Sequence, residues 1–116
     1  MRNFRNWDVY KNAKKVVVFI YSTTEQLPDS EKYGLTNQLR RASISIVANI
    51  AEGAGRSTER DFKHFLTMSL GSSFEVEALL EVSADLNLIE KQNQESLLHE
   101  LGVIQKQLNA FITKLK

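Results

Sequence analysis

Apolar residues recur at intervals of three and four along four separate stretches of the chain. This period places them on one face of an α-helix. The pattern therefore predicts four helices, over residues 8–27, 35–52, 58–87 and 93–115. The predicted core stripes of the first two helices are Tyr10, Ala13, Val17, Ile20, Thr24 and Leu27, then Leu35, Leu39, Ala42, Ile46 and Ile50. Those of the last two are Phe62, Leu66, Ser69, Ser73, Val76, Leu80 and Ser83, then Leu97, Leu101, Ile104, Leu108, Phe111 and Leu115.

Capping and helix-breaking residues predict where these helices begin and end. Asp8 has the chemistry of an N-cap, and Pro28, the only proline, is expected to stop the first helix. Gly53 and Gly55 follow the second stripe, where a left-handed glycine commonly ends a helix. Thr58, with an acid three residues later, resembles a capping box for the third helix.

Four helices joined by short corners predict an all-α fold, an antiparallel up-down-up-down four-helix bundle. Residues 1–116 show no linker, internal repeat or low-complexity tract, so we expect a single domain. The heptad-like spacing of the last helix favours the nearly antiparallel packing found in helical bundles.

Composition narrows the class of protein. The chain has 116 residues, of which 42% are apolar and 25% charged, as in an ordinary globular domain. It contains no cysteine, which excludes disulfides and thiolate metal sites and favours a cytoplasmic location. The longest apolar run spans only residues 16–21, so neither a signal peptide nor a membrane span is expected.

Two of the predicted helices carry apolar positions beyond their core stripes. Scattered surface apolar residues are common and need no explanation, and Val18 and Val103 fit that description. A stripe with small residues at its centre is different, because it lets two helices approach closely. The candidate surface for self-association through helices two and three is Ile44, Val47, Ala48, Ala51, Leu70, Gly71, Phe74 and Ala78.

A polar flank runs beside the core stripe of the second helix, at steps of three and four residues. Its members are Gln38, Arg41, Ser45, Asn49 and Glu52. One interpretation is a hydrogen-bonded network that fixes register between helices or subunits. A ligand site is the alternative. Catalysis fits less well, because the flank offers one carboxylate and neither a histidine nor an activated nucleophile.

The net charge of +1 hides an uneven distribution. In the predicted fold, the start of helix one, the corner between helices two and three, and the end of helix four share one end, here called the basic end. Its positive side chains are Arg2, Arg5, Lys11, Arg56, Arg60, Lys63, Lys114 and Lys116, against Asp8, Glu52, Glu59 and Asp61. The opposite, acidic end carries Glu25, Asp29, Glu31, Glu81, Asp85, Glu90 and Glu95 against Lys32 and Lys91.

This asymmetry predicts a partner for the basic end. Copies arranged side by side in a ring would add their basic ends on one face, able to hold the phosphate backbone of RNA or DNA. Arg56 and Arg60 also precede or begin the third helix, whose free N–H groups attract anions. Trp7, Phe4 and Tyr10 lie nearby and offer rings for base stacking, although capping of the bundle core is the favoured interpretation of Trp7 and Tyr10. The charges can also serve solubility alone.

Other motifs are weaker. The Gly-x-Gly at Gly53 lacks a preceding strand and a following Gly-Lys-Ser/Thr, so a phosphate-binding P-loop is not predicted. His64 and His99 lie on different helices and have no second histidine at i+3 or i+4, so no metal site is predicted. No catalytic residue and no cofactor fingerprint can be assigned.

The stretch from Gly34 to Ile89, with Gln-Leu-Arg-Arg-Ala, Asn-Ile-Ala-Glu-Gly and a Gly-Ser run followed by Glu75, resembles a known family. These are the small four-helix bundle proteins encoded by intervening sequences within bacterial 23S ribosomal RNA genes. The resemblance extends over nearly the whole chain. No enzymatic activity or catalytic residue is established for that family, so the resemblance implies none here.

The family is in turn similar to the accessory proteins of diversity-generating retroelements, which are basic pentameric bundles that bind nucleic acid and a reverse transcriptase. The resemblance therefore implies a homopentamer, although this chain is far less basic. Two functions follow as expectations: a non-enzymatic oligomer that binds RNA or DNA through its basic end, or a structural adaptor that recruits a protein partner. An enzyme or small-ligand binder built on the polar flank is the third alternative.

Overall fold

A computed structural model describes residues 2–115, and four α-helices make up most of that range. They are α1 Asp8–Thr24, α2 Leu35–Ala54, α3 Glu59–Asp85 and α4 Lys91–Lys114. Short 3-10 turns occur at Phe4–Asn6 and Asp29–Glu31, and no β-strand is present between residues 2 and 115. The predicted all-α class with four helices is confirmed.

α1 and α2 begin where predicted, and the other helix ends differ from the prediction by one to three residues. α1 stops at Thr24 instead of residue 27, because the N–H groups of Gln26 and Leu27 bond carbonyls three residues back in a tight turn. The residue before a proline disfavours helical dihedral angles, which explains why the ladder loosens ahead of Pro28. α3 ends at Asp85, and Asn87 then takes a φ of 60°, which reverses the chain.

The predicted caps have different outcomes. The Thr58 hydroxyl accepts a hydrogen bond from the backbone N–H of Asp61 at 3.1 Å, so the cap of α3 is confirmed. The expected cap at Asp8 is wrong, because Trp7 occupies the N-cap position and its side chain makes no capping bond. Asp8 is instead the first residue of α1, where a negative charge favours the helix dipole.

The two glycines after the second core stripe do not form the predicted left-handed cap. α2 continues through Gly53 to Ala54, and no glycine among residues 2–115 has a positive φ. Gly53 is needed for a different reason: a Cβ there would lie 2.8 Å from Cβ of Phe65 and 3.1 Å from Cδ1 of Phe62. It allows α2 and α3 to cross closely at the corner that joins them.

The core forms where the periodicity predicted it, most completely on α2 and α3. Every predicted stripe residue of those two helices is buried, including the serines Ser69, Ser73 and Ser83. Ser69 donates to the carbonyl of Ile46 across the helix pair at 2.8 Å, so its hydroxyl is satisfied inside the core. On α1 the buried face is centred on Val16, with Val17 only half-buried.

Each helix contacts two others, since α1 packs on α2 and α4, and α3 packs on α2 and α4. One hydrophobic cluster draws on all four helices, within overall dimensions of 43 × 24 × 20 Å. α3 alone has 27 residues, which makes it about 40 Å long at 1.5 Å per residue. Its two ends therefore reach opposite ends of the molecule.

Candidate nucleic-acid interface

A cluster of aromatic rings brings three chain segments together at the basic end. Trp7 precedes α1, Phe62 lies in the first turns of α3, and Phe111 lies in the last turn of α4. The ring centroid of Trp7 is 5.7 Å from that of Phe62 and 4.9 Å from that of Phe111, and Phe62 and Phe111 are 5.3 Å apart. A second pair, Phe4 and Tyr10, meets edge to face at 4.9 Å beside this cluster.

Arg2 ties the N-terminal segment to the corner between α2 and α3. Its guanidinium donates to the carbonyls of Ala54 at 3.3 Å and Arg56 at 2.7 Å. The same group lies 4.2 Å above the ring centroid of Phe62. A cation suits the last carbonyls of a helix, so Arg2 completes the end of α2. Among the seven of these basic side chains that lie within residues 2–115, Arg2 makes the most contacts inside the protein.

The other basic side chains that the structure describes make fewer contacts within the protein. Arg5, Lys11, Arg60 and Lys114 are exposed, and Lys63 is half-buried. Arg56 is exposed but stacks on Phe65, with its guanidinium carbon 4.4 Å from the ring centroid. Lys116 lies outside the described residues. The residues that the structure describes thus form an aromatic layer with positive side chains around it, and the four acidic residues of the same end are also exposed.

An opening of about 340 Å³ lies between the start of α1 and the end of α4. Its lining is mostly apolar and consists of Trp7, Asp8, Val9, Gln107, Ala110, Phe111 and Lys114. Gln107 is held by Asn12, whose side-chain amide nitrogen donates to its Oε1 at 3.1 Å. The charge pattern of the sequence pointed to this end but not to an opening, because its walls come from helices at the two ends of the chain.

Two lysines of this region were missed. Lys14 and Lys15 are exposed on the outward face of α1, where with Lys11 they surround Val18 and Phe19. The signal was present in the sequence, since Lys11, Lys15 and Val18 repeat at helical spacing opposite the buried stripe. Val18 is 70% exposed, so this face combines positive charge with an uncovered apolar side chain.

The polar flank of α2 does not form a network within residues 2–115. Asn49 donates to the backbone carbonyl of Ser45 at 2.9 Å, a bond local to the helix. Gln38, Arg41 and Glu52 are exposed and reach neither each other nor this pair. On α3, the Ser69 hydroxyl bonds the backbone carbonyl of Ile46 instead of a flank side chain, and the close approach at Gly53 is made by the side chains of Phe62 and Phe65.

The eight apolar candidates for self-association lie on two sides of the molecule rather than one. Ile44 and Val47 of α2 share a shallow groove with Val17 and Val18 of α1. Leu70 and Phe74 lie on the side of α3 that carries Glu77, which accepts a bond from Gln105 of α4 at 3.0 Å. The remaining candidates divide between the same two helices: Ala48 and Ala51 on α2, Gly71 and Ala78 on α3.

Among residues 2–115 no group of three or more histidine, aspartate or glutamate side chains is placed to hold a metal ion. The ring centroid of His64 in α3 lies 5.9 Å from that of Phe65. His99 lies on a different helix, α4. No helix within the described range combines the length and the apolar character needed to cross a membrane.

Residues 5–110 match the family described as 23S rRNA-intervening sequence protein. The chain belongs to this family. It is also similar to a solved structure described as a protein of unknown function from the S23 ribosomal protein family of Bacteroides thetaiotaomicron VPI-5482. The two are 25% identical with a TM-score of 0.81, and the match covers 90% of this chain and 97% of the other. No curated protein matches the chain. The resemblance inferred from the sequence motifs is confirmed.

Proposed function

We propose that this member of the 23S rRNA-intervening sequence protein family is a non-enzymatic oligomer that binds the phosphate backbone of RNA or DNA through its basic end. The observation that carries the proposal is the group of exposed cations around the aromatic cluster: Arg5, Lys11, Arg56, Arg60 and Lys114. Neutralising backbone phosphates releases condensed counterions, which supplies binding free energy without reading sequence. The exposed residue Lys15 extends the positive surface along α1.

Self-association would multiply this modest charge. In the proposed assembly the helices of each copy alternate in direction, and the groove of α1 and α2 packs against the Leu70–Phe74 side of the next copy. Because the two surfaces differ, the contact between copies is heterologous. Such contacts form a closed ring when the rotations from one copy to the next add up to a full turn. Charge supports this pairing, since Lys14 borders the first surface and Glu77 the second. The family resemblance sets the expected number of copies at five.

The proposal is tested by reversing charge at the basic end in one variant and at the acidic end in another. Arg60→Glu/Lys114→Glu reverses two exposed cations at the basic end, and Lys32→Glu/Lys91→Glu makes the same change at the acidic end. We expect the first variant to lose most of its affinity for a labelled single-stranded RNA, measured by fluorescence anisotropy, and the second to bind as the parent does or only slightly less tightly. Equal loss in both variants would contradict a local basic site. Light scattering on the same samples gives the number of copies.

An adaptor function is the second candidate, favoured by the acidic end. Tyr33 is 85% exposed and Leu86 is 55% exposed, an unusual amount for large apolar side chains. Both residues lie at helix ends where acidic side chains are concentrated, a setting that suits a basic protein partner. A stoichiometric partner lost with Tyr33→Ser, together with protein that carries no nucleic acid, would favour this function over the first.

A further inference from the structure

We propose that the opening between α1 and α4 at the basic end is a nucleobase pocket, which receives one unstacked base of a single-stranded nucleic acid. The inference rests on the proposed function and goes beyond it, because backbone binding alone needs no pocket. At about 340 Å³ the opening falls within the range of small-molecule sites, about 300–1,000 Å³.

The aromatic lining suits the face of a base. Trp7 and Phe111 form part of the wall, and both are half-buried, so each has ring surface in the protein and ring surface in the opening. They meet at an interplanar angle of 67°, and Trp7 meets Phe62 at 37°. Both neighbouring rings are tilted relative to the indole of Trp7, and part of the half-buried indole stays exposed for contact with a base. Stacking on such rings accepts every base, because every base has a π-face.

The polar side chains that line the pocket suit the hydrogen-bonding edge of a base. Gln107 accepts from Asn12 through its Oε1, which leaves its amide N–H groups as donors. Asp8 offers carboxylate acceptors, and the ammonium of Lys114 offers donors. Donors and acceptors together match the mixed edges of nucleobases better than they match a purely apolar ligand. The Asp8 carboxylate would repel a phosphate placed inside, so the phosphates follow the exposed cations outside the opening.

The charge around the pocket sets the path of the backbone. Lys114 is one of the residues that line the pocket, and Lys11 lies one turn along α1 from Trp7 and Asp8. Both are exposed, so phosphates on either side of an inserted base meet a cation. A duplex keeps its bases stacked and paired, so the pocket selects single strands.

Trp7 is the only tryptophan of the chain, which makes its fluorescence a direct probe of this pocket. The test titrates the full chain with a short single-stranded RNA and with an abasic phosphodiester of the same length. We expect saturable quenching of Trp7 by the RNA only, and an affinity for the RNA about tenfold above that for the abasic strand.

A filling variant separates the pocket from the surrounding charge. Ala110→Leu occupies the opening from an exposed position without changing charge, and Asn109→Leu makes a comparable change at an exposed neighbour outside the lining. We expect Ala110→Leu to abolish the quenching and to lower RNA affinity to that of the abasic strand, while Asn109→Leu behaves as the parent.

The outcomes distinguish this inference from the proposed function. Equal affinity for RNA and abasic strand, or quenching that survives in Ala110→Leu, would overturn the pocket and leave backbone binding intact. No binding of either strand would overturn both. Thermal unfolding of each variant shows whether the fold is retained, and the RNA-to-abasic ratio within one variant does not depend on its stability.

Discussion

The two ends of the bundle are held by different kinds of contact. At the basic end, Arg2 bonds carbonyls that lie 52 and 54 positions away in the chain, and Trp7 packs on Phe111 of α4. At the acidic end, the turn before α2 closes through local backbone bonds, from Glu31 to Pro28 at 2.9 Å and from Gly34 to Glu31 at 3.0 Å. The basic end is thus tied by contacts over 52 and 54 positions. The turn at the acidic end closes through local backbone bonds, and the side-chain bonds of Arg40 to Thr24 and Tyr21 beside it span only 16 and 19 positions.

Aromatic residues show the same contrast. Phe62 is 1% exposed at the basic end, whereas Tyr33 is 85% exposed at the acidic end. A ring buried among other rings holds helices together, and an exposed ring contributes little to the free energy of folding. An aromatic residue near a helix corner therefore serves packing at the basic end, whereas at the acidic end it remains available for contact with a partner.

The largest expected effect comes from removing the central ring. Phe62→Ala leaves a cavity among Trp7, Phe111 and Arg2, and it should lower the free energy of unfolding by about 3–5 kcal/mol, measured by urea denaturation. Tyr33→Ala is the matched change at the acidic end and should alter stability by no more than about 0.5 kcal/mol. Equal losses at both ends would break the comparison.

The next effect tests the close crossing of α2 and α3. Gly53→Ala places a Cβ 2.8 Å from Cβ of Phe65 and should destabilise the fold by about 1–3 kcal/mol. Gly102→Ala, in the middle of α4, meets nothing within 4 Å and should stabilise the fold by about 0.5–1 kcal/mol through helix propensity. The decisive result is that the same substitution lowers the free energy of unfolding at one glycine and raises it at the other. A neutral Gly53→Ala would show that the corner adjusts without cost.

The smallest effect concerns the N-terminal segment. Arg2→Ala removes two hydrogen bonds to the end of α2 and the contact with the Phe62 ring, and should lower the free energy of unfolding by about 1 kcal/mol. Arg5→Ala is the control, because Arg5 is exposed and only approaches Phe4 at 5.5 Å. Hydrogen exchange at the last residues of α2 should increase in Arg2→Ala alone, and unchanged exchange there would refute the role assigned to Arg2.

Much of the fold could be predicted because it depends on local periodicity. The stripe from Phe62 to Ser83 is buried at every predicted position, since a 3.6-residue period fixes which side chains share a face. The function of Gly53 could not be predicted, because it depends on how closely a second helix approaches. The cap predicted at Asp8 failed for a related reason: Trp7 is drawn to the N-cap position by packing against Phe62 and Phe111.

The candidate site was predictable only in part. Charge patterns and the predicted alternation of four helices place Arg60 and Lys114 at one end. The polar flank of α2 has the right spacing for a network, yet spacing does not supply a partner helix with polar groups. Arg41 and Glu52 accordingly face outward. The pocket at Trp7 needs residues about a hundred positions apart, which no local pattern encodes.

The most direct test of backbone binding by the basic end is the salt dependence of affinity for a short single-stranded RNA. The account predicts that the logarithm of the association constant falls linearly with the logarithm of salt concentration, with a slope of about −0.7 for each phosphate neutralised. The slope should become shallower in Arg60→Glu/Lys114→Glu and stay nearly unchanged in Lys32→Glu/Lys91→Glu. A flat line for the parent protein, or the same slope in all three proteins, would contradict the account.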